Sequence, residues 1–126
     1  HGIGDRVLER VARIFAERMR ESDLVARYGG EEFLFCFSGA REPDAARVCE
    51  ELRLAVERED WNRVAPGLRV TMSVGIAAYR GEPEMQALLD RVDERLYEAK
   101  RLGRNCVVAR SAQRGTKDVE MPLSGL

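Results

Sequence analysis

Long apolar runs are missing from this chain, and with them any candidate for a membrane-spanning helix or a secretory leader. The expected compartment is therefore the cytoplasm. Excess charge of either sign is missing too: 21 Lys and Arg stand against 22 Asp and Glu, a formal net charge of -1. That balance argues against broad electrostatic binding to nucleic acid or an anionic bilayer, so any anion specificity must come from locally placed arginine and lysine. Cysteine is scarce. Cys36, Cys49 and Cys106 are odd in number and lack metal-ligand spacing, which implies reduced packing residues rather than a disulfide framework or a metal cluster. Neither an internal repeat nor a P-loop pattern is visible.

What is present is a 126-residue chain, 44% hydrophobic and 34% charged, enough for one domain with a buried core. Val7, Leu8, Val11, Ile14, Phe15 and Met19 recur at helical spacing and predict a helix to about Arg20, with Asp5 as its cap or opening residue. Leu24 to Arg27 reads as a short strand, and Phe33 to Phe37 as a second one after a Gly29-Gly30 turn. Pro43-Asp44 opens a helix whose stripe is Ala45, Val48, Leu52 and Val56.

The clearest strand is Leu68 to Tyr79. Val70, Met72, Val74 and Ile76 occupy one face, and the small Thr71, Ser73 and Gly75 the other, as where a helix or ligand lies close. A last helix, Met85 to Arg101, is stopped by Gly103, and Asn105 to Ala109 forms a final strand. From Arg110 to Leu126 the pattern is lost, which predicts a loose tail. The order helix, hairpin, helix, strand, helix, strand gives an α/β (α+β) sandwich with helices covering an antiparallel-containing sheet.

The hairpin Arg27-Tyr28-Gly29-Gly30-Glu31-Glu32-Phe33 carries the chemistry. Glycine tolerates positive φ and so suits a tight turn, and adjacent acids beside bare amides suit a divalent cation together with a phosphate. Taken alone it also fits an ordinary hairpin with solvated glutamates.

Four further stretches accompany it: His1-Gly2-Ile3-Gly4-Asp5, Arg20-Glu21-Ser22-Asp23, Val70-Thr71-Met72-Ser73-Val74-Gly75, and the run from Asp93 to Asn105. In this order and spacing, residues 1 to 109 resemble the diguanylate cyclase domains named for their Gly-Gly-Asp/Glu-Glu-Phe signature. The GGDEF resemblance implies a nucleotidyl-cyclase-like fold and an enzyme joining two GTP into cyclic di-GMP, with release of two pyrophosphates, across a homodimer. It implies Mg²⁺ or Mn²⁺ on Glu31, with Glu32 as the second acid. Gly29 and Gly30 then admit the β- and γ-phosphates to backbone amides, Asp5 reads guanine, and Lys100 and Arg104 hold the triphosphate. Arg20 and Asp23 match an inhibitory site for cyclic di-GMP; the further arginine that often completes it aligns with Glu51, and Arg47 lies one turn earlier.

The family domain also has a first strand with a metal-binding aspartate, in mid-sheet, and a guanine-reading asparagine after it. His1 lies beyond both. The resemblance therefore implies an incomplete sheet, filled by closing up, by the tail or by another chain. It also implies little cyclase activity in this stretch alone, with cyclic di-GMP binding retained, and an upstream sensor or receiver domain in the parent protein. The competing function is a cyclic di-GMP receptor module whose acids are vestigial; a GTPase is disfavoured by the lack of a P-loop.

Overall fold

Apolar residues three and four apart bring Val11, Ile14 and Phe15 to one face of α1 (Ile3–Arg18), where they are buried. The hairpin follows as β1 (Asp23–Gly29) and β2 (Glu32–Phe37). Then come α2 (Glu42–Arg58), a 3-10 turn (Trp61–Arg63), β3 (Ser73–Ala77), α3 (Met85–Arg101), β4 (Val107–Val108) and β5 (Met121–Gly125). This computed structural model describes residues 2–109 and 121–125.

The five strands form one sheet in the order β1-β2-β5-β3-β4. Among the described residues, only β3 and β4 pair in parallel. Helices α1 and α2 cover one face, where Phe15 meets Phe33 and Phe35 edge-on, with ring centroids 5.2 and 4.9 Å apart. Leu52, Val56, Val74 and Ile76 complete that core, and Trp61 closes it by donating its indole N–H to the Val56 carbonyl at 2.7 Å. The other face takes α3 through Ala77, Leu88, Val92 and Leu96. The expected α/β sandwich with an antiparallel-containing sheet is what forms.

The small-residue face of β3 is explained by α3. A Cβ on Gly75 would lie 2.3 Å from the Leu96 amide nitrogen and 2.7 Å from the Val92 carbonyl oxygen. Helix backbone, not a ligand, occupies that space.

Two expectations are corrected in the sheet. Within the stretch expected as a loose tail, Met121–Gly125 runs as β5 in the middle of the sheet, antiparallel to both β2 and β3. Residues 110–120 and 126 lie outside the described residues. The strand expected over Leu68 to Tyr79 is regular only over Ser73–Ala77. Ser73 is the first residue of that stretch to pair, opposite Gly125, and residues 68–72 have no ladder partner among the described residues.

Candidate functional site

Gly125 also stands opposite Glu32, so Ser73 and Glu32 share one row of the sheet and one end of it. At that end the hairpin turn, the segment before β3 and the start of α1 surround a cleft of about 550 Å³, a size that suits a mononucleotide. Its walls carry Asp5, Arg27, Gly30, Glu31 and Arg69, with Val7, Leu8 and Val70 as an apolar lining.

Gly2, at φ 82°, is the residue before α1, and no side chain caps the helix. Asp5 therefore sits inside the first helical turn rather than at its cap. There a carboxylate benefits from the positive end of the helix dipole. The turn at Gly29-Gly30 also differs from expectation: neither glycine has a left-handed φ. Backbone geometry thus gives no reason for glycine at either position. Nothing lies within 4 Å of where a Gly30 Cβ would be, so what glycine leaves at the cleft wall is open room beside its amide. The turn is held from the strand instead. Arg27 donates from Nε and Nη2 to the Gly30 carbonyl at 3.1 and 2.6 Å.

The two acids of the signature part company. Glu31 is exposed on the cleft wall, whereas Glu32 does not line it. Glu32 lies on the α3 side, near enough that its charge, after burial, pushes the Asp93 carboxyl of α3 above the usual carboxylate range.

Lys100 and Arg104 do not line the cleft either. They sit at the C-terminal end of α3, where three successive residues, Gly103, Arg104 and Asn105, adopt left-handed φ values of 116°, 66° and 51°. The Arg104 amide donates to the Ala99 carbonyl at 2.9 Å. Asn105 is fixed by donating its amide to Ser73 Oγ at 3.1 Å and by accepting from Arg53 Nη1 at 2.8 Å. Because Ser73 is in the same row as Glu32, both cations flank the cleft's end of the sheet. Two non-glycine residues in the left-handed region are held there by surrounding bonds, as is common where a loop has a task.

Among the described residues no group of three or more metal-ligating side chains converges. The acids that line the cleft are Asp5 and Glu31. One carboxylate beside room for phosphate suits a cation that takes its other ligands from water and substrate, as Mg²⁺ does.

A second cavity, of about 390 Å³, lies at the open end of the hairpin, lined in part by Arg20, Phe37, Asp44 and Arg47. Arg20 and Asp23 meet as an ion pair, but Asp23 does not line the cavity. Its side chain is 2% exposed, and both oxygens are taken: Oδ1 by Arg20 Nη2 at 2.7 Å, Oδ2 by the Arg20 amide at 2.8 Å. Burial pushes the Asp23 carboxyl up, yet these hydrogen bonds outweigh it and leave the group below its ordinary value. Arg69 is a charged cleft residue that sequence reasoning missed: it fell inside the strand expected over Leu68 to Tyr79, and no motif marks it.

Comparison with known proteins gives a consistent picture. The family described as "Diguanylate cyclase, GGDEF domain" matches residues 1–106. Response regulator PleD of Caulobacter vibrioides is 43% identical over 116 residues, 89% of this chain and 25% of that protein. Diguanylate cyclase DosC of Escherichia coli is 38% identical over 109 residues, 85% of this chain and 24% of that protein. The chain thus spans about a quarter of the curated relatives it matches. Among solved structures, the GGDEF domain of DgcB from Caulobacter crescentus, in complex with c-di-GMP, superposes with TM-score 0.76 at 30% identity, over 83% of this chain and 63% of that one. The active GGEEF domain of a diguanylate cyclase from Vibrio cholerae gives 0.77 at 26% identity, over 88% and 72%.

Proposed function

The chain belongs to the GGDEF family of diguanylate cyclase domains, and from that premise we propose that its cleft binds GTP for condensation into cyclic di-GMP across a homodimer. The observation that carries this is that Asp5, Gly30 and Glu31 line one cleft. Asp5 accepts from the guanine N1 and N2 groups, which adenine cannot satisfy. The room at Gly30 lets a phosphate reach the backbone, and Arg27 keeps the turn in place by its bonds to the Gly30 carbonyl.

Glu31 would hold the divalent cation together with the nucleotide phosphates, and that cation supplies charge neutralisation at the phosphates. Lys100 and Arg104 approach the triphosphate from the end of α3. The 3′-hydroxyl of one GTP attacks the α-phosphorus of the other, its proton passing to a nearby carboxylate or water as pyrophosphate leaves; positioning and charge supply most of the acceleration. In the parent protein a sensor or receiver domain would govern pairing of the two nucleotides.

The cavity at Arg20 is proposed as the product site, through which cyclic di-GMP feeds back on the cyclase. Incubation with GTP and Mg²⁺, followed by nucleotide separation, tests the enzyme: formation of cyclic di-GMP from GTP, reduced by Glu31→Gln, is expected. Equal affinity of the Asp5→Ala variant and its parent for GTP would remove Asp5 as the guanine reader. A receptor module instead would bind cyclic di-GMP and leave GTP unbound.

A further inference from the structure

The cleft beside the hairpin turn has a second wall, across from Gly30 and Glu31. Strands β2 and β3 each run antiparallel to β5, so they run in the same direction, and Glu32 and Ser73 share a row across Gly125. Two strand spacings set their backbones about 10 Å apart in that row. Residues 69–71 precede Ser73 much as Gly30 and Glu31 precede Glu32, and both segments line the cleft. Asp5 reaches it from the first turn of α1. The two arginines on these walls are in different states. Arg27 spends Nε and Nη2 on the Gly30 carbonyl. Arg69 is exposed, and among the described residues its guanidinium has no partner. It also lines an adjoining cavity with Glu57, Glu59 and Asp60. Those acids are engaged elsewhere: Glu57 with Arg53 and Asn105, Glu59 with Arg10, and Asp60 with Arg63.

We infer that Arg69 is a second base-reading residue, donating to guanine O6 and N7 from the wall that faces the phosphates. The inference rests on the cleft's binding GTP with Asp5 at guanine N1 and N2, and it deepens that reading. Phosphates drawn to Gly30 and Glu31 turn the sugar side of the base toward the hairpin. With N1 and N2 on Asp5, the edge left for the facing wall carries O6 and N7, an acceptor pair that adenine does not present. A planar fork with its donors unspent matches that pair. Adenine puts an amino donor where guanine has O6, so the same fork rejects it. Val7, Leu8 and Val70 line the cleft with apolar surface, and the lower local dielectric strengthens both contacts. Asp5 and Arg69 thus test the base on two different edges.

Titration calorimetry of the whole chain with Mg²⁺ and dideoxy-GTP, dideoxy-ATP or 7-deaza-dideoxy-GTP tests this. The dideoxy forms lack the attacking 3′-hydroxyl and so only bind, and the 7-deaza form lacks the N7 acceptor. The parent should bind dideoxy-GTP about tenfold or more tighter than its 7-deaza analogue. Arg69→Ala should weaken dideoxy-GTP by about tenfold or more and the analogue much less, so that the two bind alike. Asp5→Ala should weaken both guanine forms equally, because N1 and N2 are present in each. Arg69→Lys should recover only part of the loss; full recovery would reduce the residue to a positive charge and overturn the inference. An equal loss for all three nucleotides in Arg69→Ala would place the guanidinium on the phosphates and overturn it as well. Parental affinity in Arg69→Ala would remove Arg69 from the site and leave the GTP reading of the cleft standing. A parent that binds no dideoxy-GTP overturns that reading and this one together. Arg69 is exposed and unpaired among the described residues, so its replacement should leave the melting temperature within about 2 °C of the parent, and lost binding would not reflect unfolding.

Discussion

One methyl group, added at Gly75 and then at Gly30, should have opposite consequences. At Gly75 the new carbon would sit 2.3 Å from the Leu96 nitrogen, 2.7 Å from the Val92 oxygen and 2.8 Å from the Arg95 carbonyl carbon, all α3 backbone. No side-chain rotation relieves such a clash, so α3 must retreat by about 1 Å in a close-packed interior. That retreat loosens Leu88, Val92 and Leu96 from the sheet. Overpacking costs about 1–3 kcal/mol, and an immovable obstacle puts Gly75→Ala near 3 kcal/mol or above. For a chain of this length that is roughly a 10 °C fall in melting temperature. At Gly30, by contrast, nothing lies within 4 Å and φ is not left-handed. Gly30→Ala should therefore stabilise the fold by about 0.4–1 kcal/mol through the unfolded chain. The same methyl stands where a phosphate would approach, and one lost charge-assisted hydrogen bond of about 1.5–3 kcal/mol lowers GTP affinity by roughly 10- to 100-fold. Thermal melts followed by circular dichroism, with GTP titration calorimetry on the same samples, read both effects. A Gly75→Ala melt within about 2 °C of the parent would refute the backbone contact, and undiminished GTP affinity in Gly30→Ala would refute the phosphate approach.

Phe15→Ala removes the ring that meets Phe33 and Phe35 and should cost about 3–5 kcal/mol in urea unfolding; a loss below about 1 kcal/mol would place the core elsewhere. Glu31→Gln should leave the melting temperature unchanged, because the side chain is exposed, while reducing the Mg²⁺-dependent part of GTP affinity; unchanged Mg²⁺ dependence would exclude Glu31 as the cation's carboxylate. Asp23 has a lowered pKa in the folded chain, so its contribution to stability is present above the ordinary carboxylate range, near pH 4, and is lost as pH falls below it. The stability difference between parent and Asp23→Asn should accordingly be flat near neutral pH and shrink as the pH falls below the ordinary carboxylate range; a difference that grows on acidification would contradict the ion pair.

Local periodicity made most of the fold legible. The helix expected over Met85 to Arg101 is α3, and the strand expected over Phe33 to Phe37 is β2. β5 was not legible. Met121, Pro122, Ser124 and Gly125 are weak strand formers, and a proline argues against a central strand. What places them there is a slot between β2 and β3, a long-range fact that no window of sequence contains. The site was legible in residue types more than in arrangement. Glu31 and Asp5 reach the cleft, but the signature does not say that Glu32 turns toward α3 or that Lys100 and Arg104 only flank it. Nor does Arg-x-x-Asp say which partner is exposed.

The two cavities sit at opposite ends of one hairpin, and that constrains the proposed feedback. Asp23 pairs with Phe37 at the open end, and Gly29 with Glu32 beside the turn. The seven residues of β1 separate them by about 20 Å. A dinucleotide held by Arg20 therefore cannot touch a nucleotide held at Gly30 in the same chain. Within one chain, inhibition would have to travel along the β1–β2 ladder, whose register shifts between Arg27 and Gly29. Arg27 is also the residue that ties the turn through Gly30. Between chains, it would instead hold two copies with their clefts apart. Mixing Arg20→Ala chains with Glu31→Gln chains separates these routes. Feedback confined to one chain would leave the variant lacking Arg20 insensitive to cyclic di-GMP, whereas feedback by cross-linking would be restored in part by a partner whose Arg20 is intact.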